Sequence, residues 1–243
     1  MTSIRLYVEG PLQSGSTLAL PAAAARHAQV RRVQPGDALT LFDGSGAEWP
    51  ARVASMGRSE VVVQLGAAQV VDRELPFAVT LALGMPANER MDALVEKATE
   101  LGVACVQPLL CERSVLRLAG ERAERKQAHW QAIAVAASEQ CGRTRVPRIE
   151  PVLPLLAWLS GLETAARRLL LSPQAQATPL HRLAVADTLA LSGPEGGLAP
   201  AEQQAALAAG FIATGLGPRV LRADTAPLAV LAWLSIGSGA SPA

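Results

Sequence analysis

Leu189-Ala190-Leu191-Ser192-Gly193-Pro194-Glu195-Gly196-Gly197 is an apolar run that stops abruptly in glycine and proline. Its plan repeats about one helix later, in Leu216-Gly217-Pro218-Arg219-Val220-Leu221-Arg222-Ala223-Asp224-Thr225-Ala226. Between them, Pro200 suits a first helical position and Gly210 a helix stop, after which Phe211-Ile212 has strand character. Each loop therefore follows a short apolar segment and leads into a helix. The glycines permit positive φ and let a ligand lie against bare backbone. Two such loops can offer N–H and C=O groups to a flat, polar ligand such as an adenine. Gly-Pro-Glu-Gly-Gly alone reads equally well as a plain turn; the second loop at this distance favours the binding reading.

Upstream of these loops, strands and helices alternate. Phe77–Leu83 reads as a strand, Met91–Leu101 as a helix stopped by Gly102, and Val103–Leu109 as a strand. A long helix runs from about Gly120 to Gln140. Helix Val152–Ser160, strand Arg167–Leu171 and strand Thr188–Ser192 come after it. This alternation predicts an α/β domain over residues 76–243 with a largely parallel sheet. Helix Ala226–Ile236 is apolar, and Gly237–Ala243 reads as a frayed tail.

Residues 1–70 read differently. Ile4–Val8, Ala38–Phe42, Glu48–Ala54 and Glu60–Leu65 are short strands, Pro21–Arg32 a helix, and Asp43-Gly44-Ser45-Gly46 a hairpin signal. A meander with one helix predicts a small β-barrel, joined to the α/β domain by residues 66–76. The 243 residues thus make one large or two modest domains. Half are hydrophobic, no run is long enough to span a bilayer, and the N-terminus lacks a signal-peptide core, so a cytoplasmic protein is expected. Cys105, Cys111 and Cys141 have neither disulfide nor zinc-site spacing, and no metal is expected.

The net charge of +1 hides an asymmetry: residues 105–148 hold eight basic against four acidic side chains. Such a face can neutralise phosphates, whereas aromatics at 3% argue against a base-stacking platform. No Gly-x-Gly-x-x-Gly after a first strand and no Gly-x-x-x-x-Gly-Lys-[Ser/Thr] is present, which excludes the usual dinucleotide and P-loop fingerprints.

Leu191–Gly197 and Leu216–Ala226 resemble the two cofactor loops of the SPOUT methyltransferases, and more narrowly those of the RsmE family. Glu96-Lys97-Ala98-Thr99-Glu100-Leu101-Gly102-Val103 and Cys111-Glu112-Arg113-Ser114-Val115 are similar to family signatures. So is the Ala-x-Glu-Gln-x-x-Arg-x-x-x-Pro pattern at Ala137–Pro147, and His27, Val33 and Gly36-Asp37 match the family's PUA-like start. Two positions depart from the pattern: Gly84–Arg90 keeps only Arg90 as a basic residue, and Asp224 stands where the family usually has Glu.

The resemblance implies a PUA-like β-barrel over 1–70 and a SPOUT-type α/β domain with a deep trefoil knot over 76–243. It implies S-adenosylmethionine (SAM) as cofactor, held by Leu171, Ser172, Gly193, Pro194, Glu195, Gly196, Gly197, Leu216, Gly217, Arg219, Val220 and Leu221. The implied reaction is methylation of N3 of a uridine in 16S ribosomal RNA, in the assembled small subunit. That chemistry needs a proton acceptor and a cationic clamp. The candidates are Glu139 or Glu195 as base, and Arg143, Arg219 or Arg222 as clamp. Arg5, His27, Arg31, Arg32, Arg113, Arg117, Arg143 and Arg145 are candidates for holding the RNA. A homodimer is expected, with the C-terminal helix and Trp233 a candidate interface. Two alternatives stay open: a knotted methyltransferase acting on a ribose 2′-hydroxyl or a transfer RNA, and a non-catalytic, ribosome-associated RNA-binding dimer.

Overall fold

The computed structural model describes residues 4–58, 60–162, 166–173 and 177–237. Its contacts divide the chain into two compact units. The first comprises residues up to Glu74 together with Ser138–Val146; the second comprises Leu75–Ala137 and Pro147 onward. The assignment of Ser138–Val146 to the first unit is not visible in the local sequence pattern.

The first unit contains β1 (Ile4–Tyr7), β2 (Thr17–Ala19), α1 (Ala22–Val30), β3 (Ala38–Phe42), β4 (Ala47–Met56), β5 (Val61–Leu65) and β6 (Gln69–Val70). The strands pair in the order β1-β3-β4-β5-β2, with β6 on β4; all pairs are antiparallel except β1–β3. Among the described residues no pair joins β2 to β1, so the expected barrel is hydrogen-bonded as an open sheet. Alternation in β4 and β5 sends Trp49, Val53, Val61, Val63 and Leu65 inward, where Ala24, Ala25 and Ala28 of α1 meet them. At the β3–β4 turn Gly44 and Gly46 take φ of +88° and +100°, and Asp43 Oδ1 accepts the Ser45 N–H at 2.9 Å.

The second unit contains β7 (Val79–Gly84), α2 (Asn88–Glu100), β8 (Cys105–Leu110), α3 (Gly120–Cys141, its last turn counted with the first unit), β9 (Arg148–Ile149) and β10 (Leu153–Pro154). Next come α4 (Leu155–Ser160), β11 (Arg167–Leu171), β12 (Thr178–Pro179), β13 (Thr188–Ser192), α5 (Pro200–Ala208), β14 (Ile212–Gly215) and α6 (Thr225–Gly237). The strands form an eight-stranded sheet in the order β10-β8-β7-β13-β11-β14-β12, with β9 on β8. Every pair is parallel. The inner strands β7, β8 and β13 are buried almost throughout, as strands covered on both faces must be.

Two helix starts differ from expectation. α2 begins three residues before Met91, because its first turn is polar and escapes an apolar periodicity. The helix expected over Val152–Ser160 begins only at Leu155, since Leu153–Pro154 pairs with β8 as β10. Gly102 ends α2 at φ +92°, and Asp92 fastens α2 to α3 by accepting the Trp130 indole N–H at 2.9 Å. α6 buries Pro227, Val230, Leu231 and Leu234 and packs on β13 and α2. Gly237 closes α6; the rest of the expected frayed tail, residues 238–243, lies outside the described residues, as do residues 1–3 of the expected N-terminal segment. Among the described residues no helix is long and apolar enough to cross a membrane.

Candidate active site

β11, β13 and β14 lie together in the sheet, and their carboxyl ends are level: Leu170 stands opposite Leu191, and Leu171 opposite Thr214. In parallel α/β sheets this edge is where ligands bind. Here it carries a cavity of about 520 Å³. All twelve residues expected to hold a cofactor line it: Leu171 at the end of β11 and Ser172 after it, the run 193–197 after β13, and Leu216, Gly217 and 219–221 after β14. Arg222 lines it too. Arg90, Leu198 and Gln203 were not among the residues expected to hold the cofactor and join the wall from α2, the end of the glycine loop and α5. Of these only Arg90 carried a signal, as the single basic residue left in Gly84–Arg90.

The loop after β13 is folded so tightly that its glycines are required. A β-carbon on Gly193 would stand 2.9 Å from the Leu198 nitrogen and 3.1 Å from the Gly197 carbonyl carbon. Gly197 takes φ +67° and closes the turn by donating its N–H to Pro194 O at 2.8 Å. Pro194 packs on Gly84 at the end of β7, where a β-carbon would lie 2.5 Å from the proline ring. Arg113 Nη1 donates to Gly196 O at 3.1 Å. In the second loop Gly217 has φ +106° and open space where a side chain would go. Bare backbone therefore faces the cavity from two sides, the cradle that a nucleoside with a short polar tail requires. The volume is in the usual range for such pockets.

Two carboxylates fasten this edge. Glu202 of α5 is 5% exposed. Its Oε2 accepts the Ala199 N–H at 2.9 Å, capping α5 from within, and its Oε1 accepts the Glu112 N–H at 2.8 Å. Glu195 is placed with one oxygen, Oε1, accepting the Ala87 N–H at 3.0 Å and lying 3.6 Å from Arg90 Nη1. Burial pushes the Cys105 and Cys111 thiols up to about 11 and about 12, with Glu150 and Glu202 respectively adding to the shift.

Glu139 and Arg143, the other expected catalytic pair, belong to the first unit. There Glu139 accepts the Tyr7 N–H at 2.8 Å with Oε1 and meets His27 Nδ1 at 3.0 Å with Oε2. Burial raises its pKa above the usual carboxylate value, against the opposing pull of the Tyr7 N–H, His27 and Arg5. Arg143 is 4% exposed and forms a two-pronged ion pair with Glu74. Arg5 pairs with Glu48, donates to Arg143 O at 3.2 Å, and stacks 5.1 Å over the Phe42 ring. Of the residues expected to hold RNA, Arg31, Arg32 and Arg145 of the first unit are exposed, as are Arg113 and Arg117 of the second; His27 is half-exposed, and Arg5 and Arg143 are engaged as described. Among the described residues no cluster of three His, Cys, Asp or Glu side chains could hold a metal ion.

The chain matches the RNA methyltransferase domain family over residues 73–235 and the RNA methyltransferase PUA domain family over 20–66. It is 33% identical to the ribosomal RNA small subunit methyltransferase E of Synechocystis over 90% of this chain and 73% of that protein. A protein of Legionella pneumophila, solved with the cofactor SAM bound, is 33% identical, with a TM-score of 0.93 and 98% of both chains covered. The ribosomal RNA small subunit methyltransferase E of Neisseria gonorrhoeae, solved with S-adenosylmethionine, is 34% identical, with a TM-score of 0.90 and 97% of this chain and 98% of that one covered.

Proposed function

The chain belongs to the ribosomal RNA small subunit methyltransferase E family, and from that premise we propose that it methylates N3 of one uridine in 16S ribosomal RNA within the assembled small subunit. At the coarser level it is a SAM-dependent methyltransferase of small-subunit ribosomal RNA. The observation that carries the reading is the single cavity into which the glycine loops after β13 and β14 both turn their backbone. When bound, SAM supplies a methyl group on a positively charged sulfur. Leu171, Ser172, the run 193–197, Leu216, Gly217 and the run 219–221 hold and orient it. Arg219 and Arg222 lie exposed at the mouth and make no ion pair among the described residues, which suits them to an RNA phosphate.

Arg31, Arg32, Arg113, Arg117 and Arg145 supply further phosphate contacts in this proposal. It also includes a cytoplasmic location, threading of the C-terminal chain as a trefoil knot, and a homodimer with an interface on α6, where Ile236 is exposed.

Nucleoside mass spectrometry of 16S ribosomal RNA tests the reading, comparing a strain lacking the protein with its parent. The expected result is loss of 3-methyluridine alone, restored by the wild-type gene and not by Gly193→Val. Loss of a ribose-methylated nucleoside instead would transfer the protein to the 2′-hydroxyl chemistry. An unchanged nucleoside pattern would remove the enzymatic claim on this RNA.

A further inference from the structure

Resting on the uridine-N3 reading, we propose that Arg90 and Glu195 together read the edge of the target uracil, with Glu195 accepting its N3 proton. Both line the cavity, Arg90 from α2 and Glu195 from the loop after β13, and their side chains are 41% and 29% exposed, open to an incoming base. The 3.6 Å contact and the Ala87 N–H both fall on Glu195 Oε1. That leaves Glu195 Oε2, and the Arg90 N–H groups that face away from it, without a hydrogen bond among the described residues. The rim therefore presents one free acceptor beside several free cationic donors.

Uracil presents the complement: N3–H, a donor, beside O4, an acceptor. Cytosine presents the reverse, an acceptor at N3 beside an amino donor, and would set lone pair against carboxylate and N–H against guanidinium. The pair thus discriminates by the donor–acceptor logic that governs base edges generally. The other candidates lack this arrangement. Arg219 and Arg222 have no carboxylate partner among the described residues, and Glu139 has committed both oxygens, to Tyr7 and to His27.

As the N3 proton passes to Glu195 Oε2, the N3 electron pair forms the bond to the methyl carbon. The carbon–sulfur bond breaks with its electrons going to sulfur, which leaves as a neutral thioether. Arg90 faces the oxygen on which negative charge collects, already oriented before the base arrives.

The test uses the full chain, SAM, and small subunits from cells lacking the modification, with Glu195→Gln, Arg90→Ala and Arg90→Lys. SAM affinity within about threefold of wild type shows that the variants are folded and that Glu195 meets the cofactor through its backbone, the two side chains being free for the base. Turnover is expected to fall about 100-fold or more in Glu195→Gln and Arg90→Ala, with partial recovery in Arg90→Lys. The wild type binds a transcript bearing the target uridine about tenfold tighter than one bearing cytidine there, and Arg90→Ala levels the two. Wild-type turnover in Glu195→Gln overturns the proposal, as does loss of SAM binding in both Glu195→Gln and Arg90→Ala. A wild-type product other than 3-methyluridine sinks the uridine reading itself. Formation of 3-methyluridine by wild type and variants alike sinks the pair alone.

Discussion

Gly193 and Gly217 are both glycines facing the cofactor cavity, yet they are required for different reasons. At Gly193 an added β-carbon meets backbone on two sides, at 2.9 and 3.1 Å. Gly193→Ala must therefore open the loop, and calorimetric titration should show SAM affinity reduced by about tenfold or more, the affinity equivalent of about 1–3 kcal/mol of overpacking. At Gly217 there is room but φ is +106°. Gly217→Ala should cost about 1–2 kcal/mol of backbone strain in a denaturation curve, with the smaller effect on binding. The sequence marked both glycines because two glycine-bearing loops stand about one helix apart, whereas Gly-Pro-Glu-Gly-Gly alone reads equally well as a plain turn. It could not show what Glu139 does, because its partners Tyr7 and His27 lie more than a hundred residues away in the chain. Burial raises the Glu139 pKa, so between the unfolded carboxylate value and the raised one the native state holds more protons than the unfolded state. Stability attributable to this group is therefore present at low pH and lost as pH rises through the raised value. Urea denaturation across that window should show the wild type losing stability with rising pH relative to Glu139→Gln, whose side chain does not titrate.

α5 shows how an element inherits its importance from what it fastens. Pro200 and Gly210 made its ends legible, since each residue's backbone preference is local. The double duty of Glu202 was not legible, because the Glu112 N–H that it accepts comes from a loop 90 residues earlier in the chain. Removing that carboxylate uncaps the helix and strands two N–H groups at once. Glu202→Ala should cost about 2–4 kcal/mol by urea denaturation and weaken SAM binding in parallel, whereas Glu202→Gln, which keeps one acceptor, should recover part of both. α2 and α4 were displaced from expectation for a related reason. Apolar spacing marks where a helix is buried, and it is silent about polar first turns and about a Leu-Pro pair recruited to a sheet edge.

At the scale of the whole molecule, alternating strands and helices were enough to predict a parallel α/β domain, because burial on both faces writes continuous apolar runs into the chain. The strand order and the placement of Ser138–Val146 were not readable, because both depend on partners far apart in sequence. Charge is also a property of the whole, and its test is electrostatic. If the exposed arginines bind phosphate, Arg117→Ala and Arg145→Ala should each lower RNA affinity without regard to sequence. Each should also reduce the slope of log K against log salt by about 1, measured by fluorescence anisotropy. The position of β13 has a further consequence, for the order in which the molecule is made. β13 occupies the middle of the sheet between β7 and β11, yet its register with β7 joins residues 109 apart in the chain. The centre is thus filled late, with only β14 among the strands still to follow. During synthesis β7 emerges with one flank unsatisfied and waits more than a hundred residues for its neighbour. Loop-closure entropy across that interval makes the docking of β13 slow. A half-made chain exposes an apolar strand edge, a substrate for chaperones, and competence to bind cofactor marks the moment at which folding is complete.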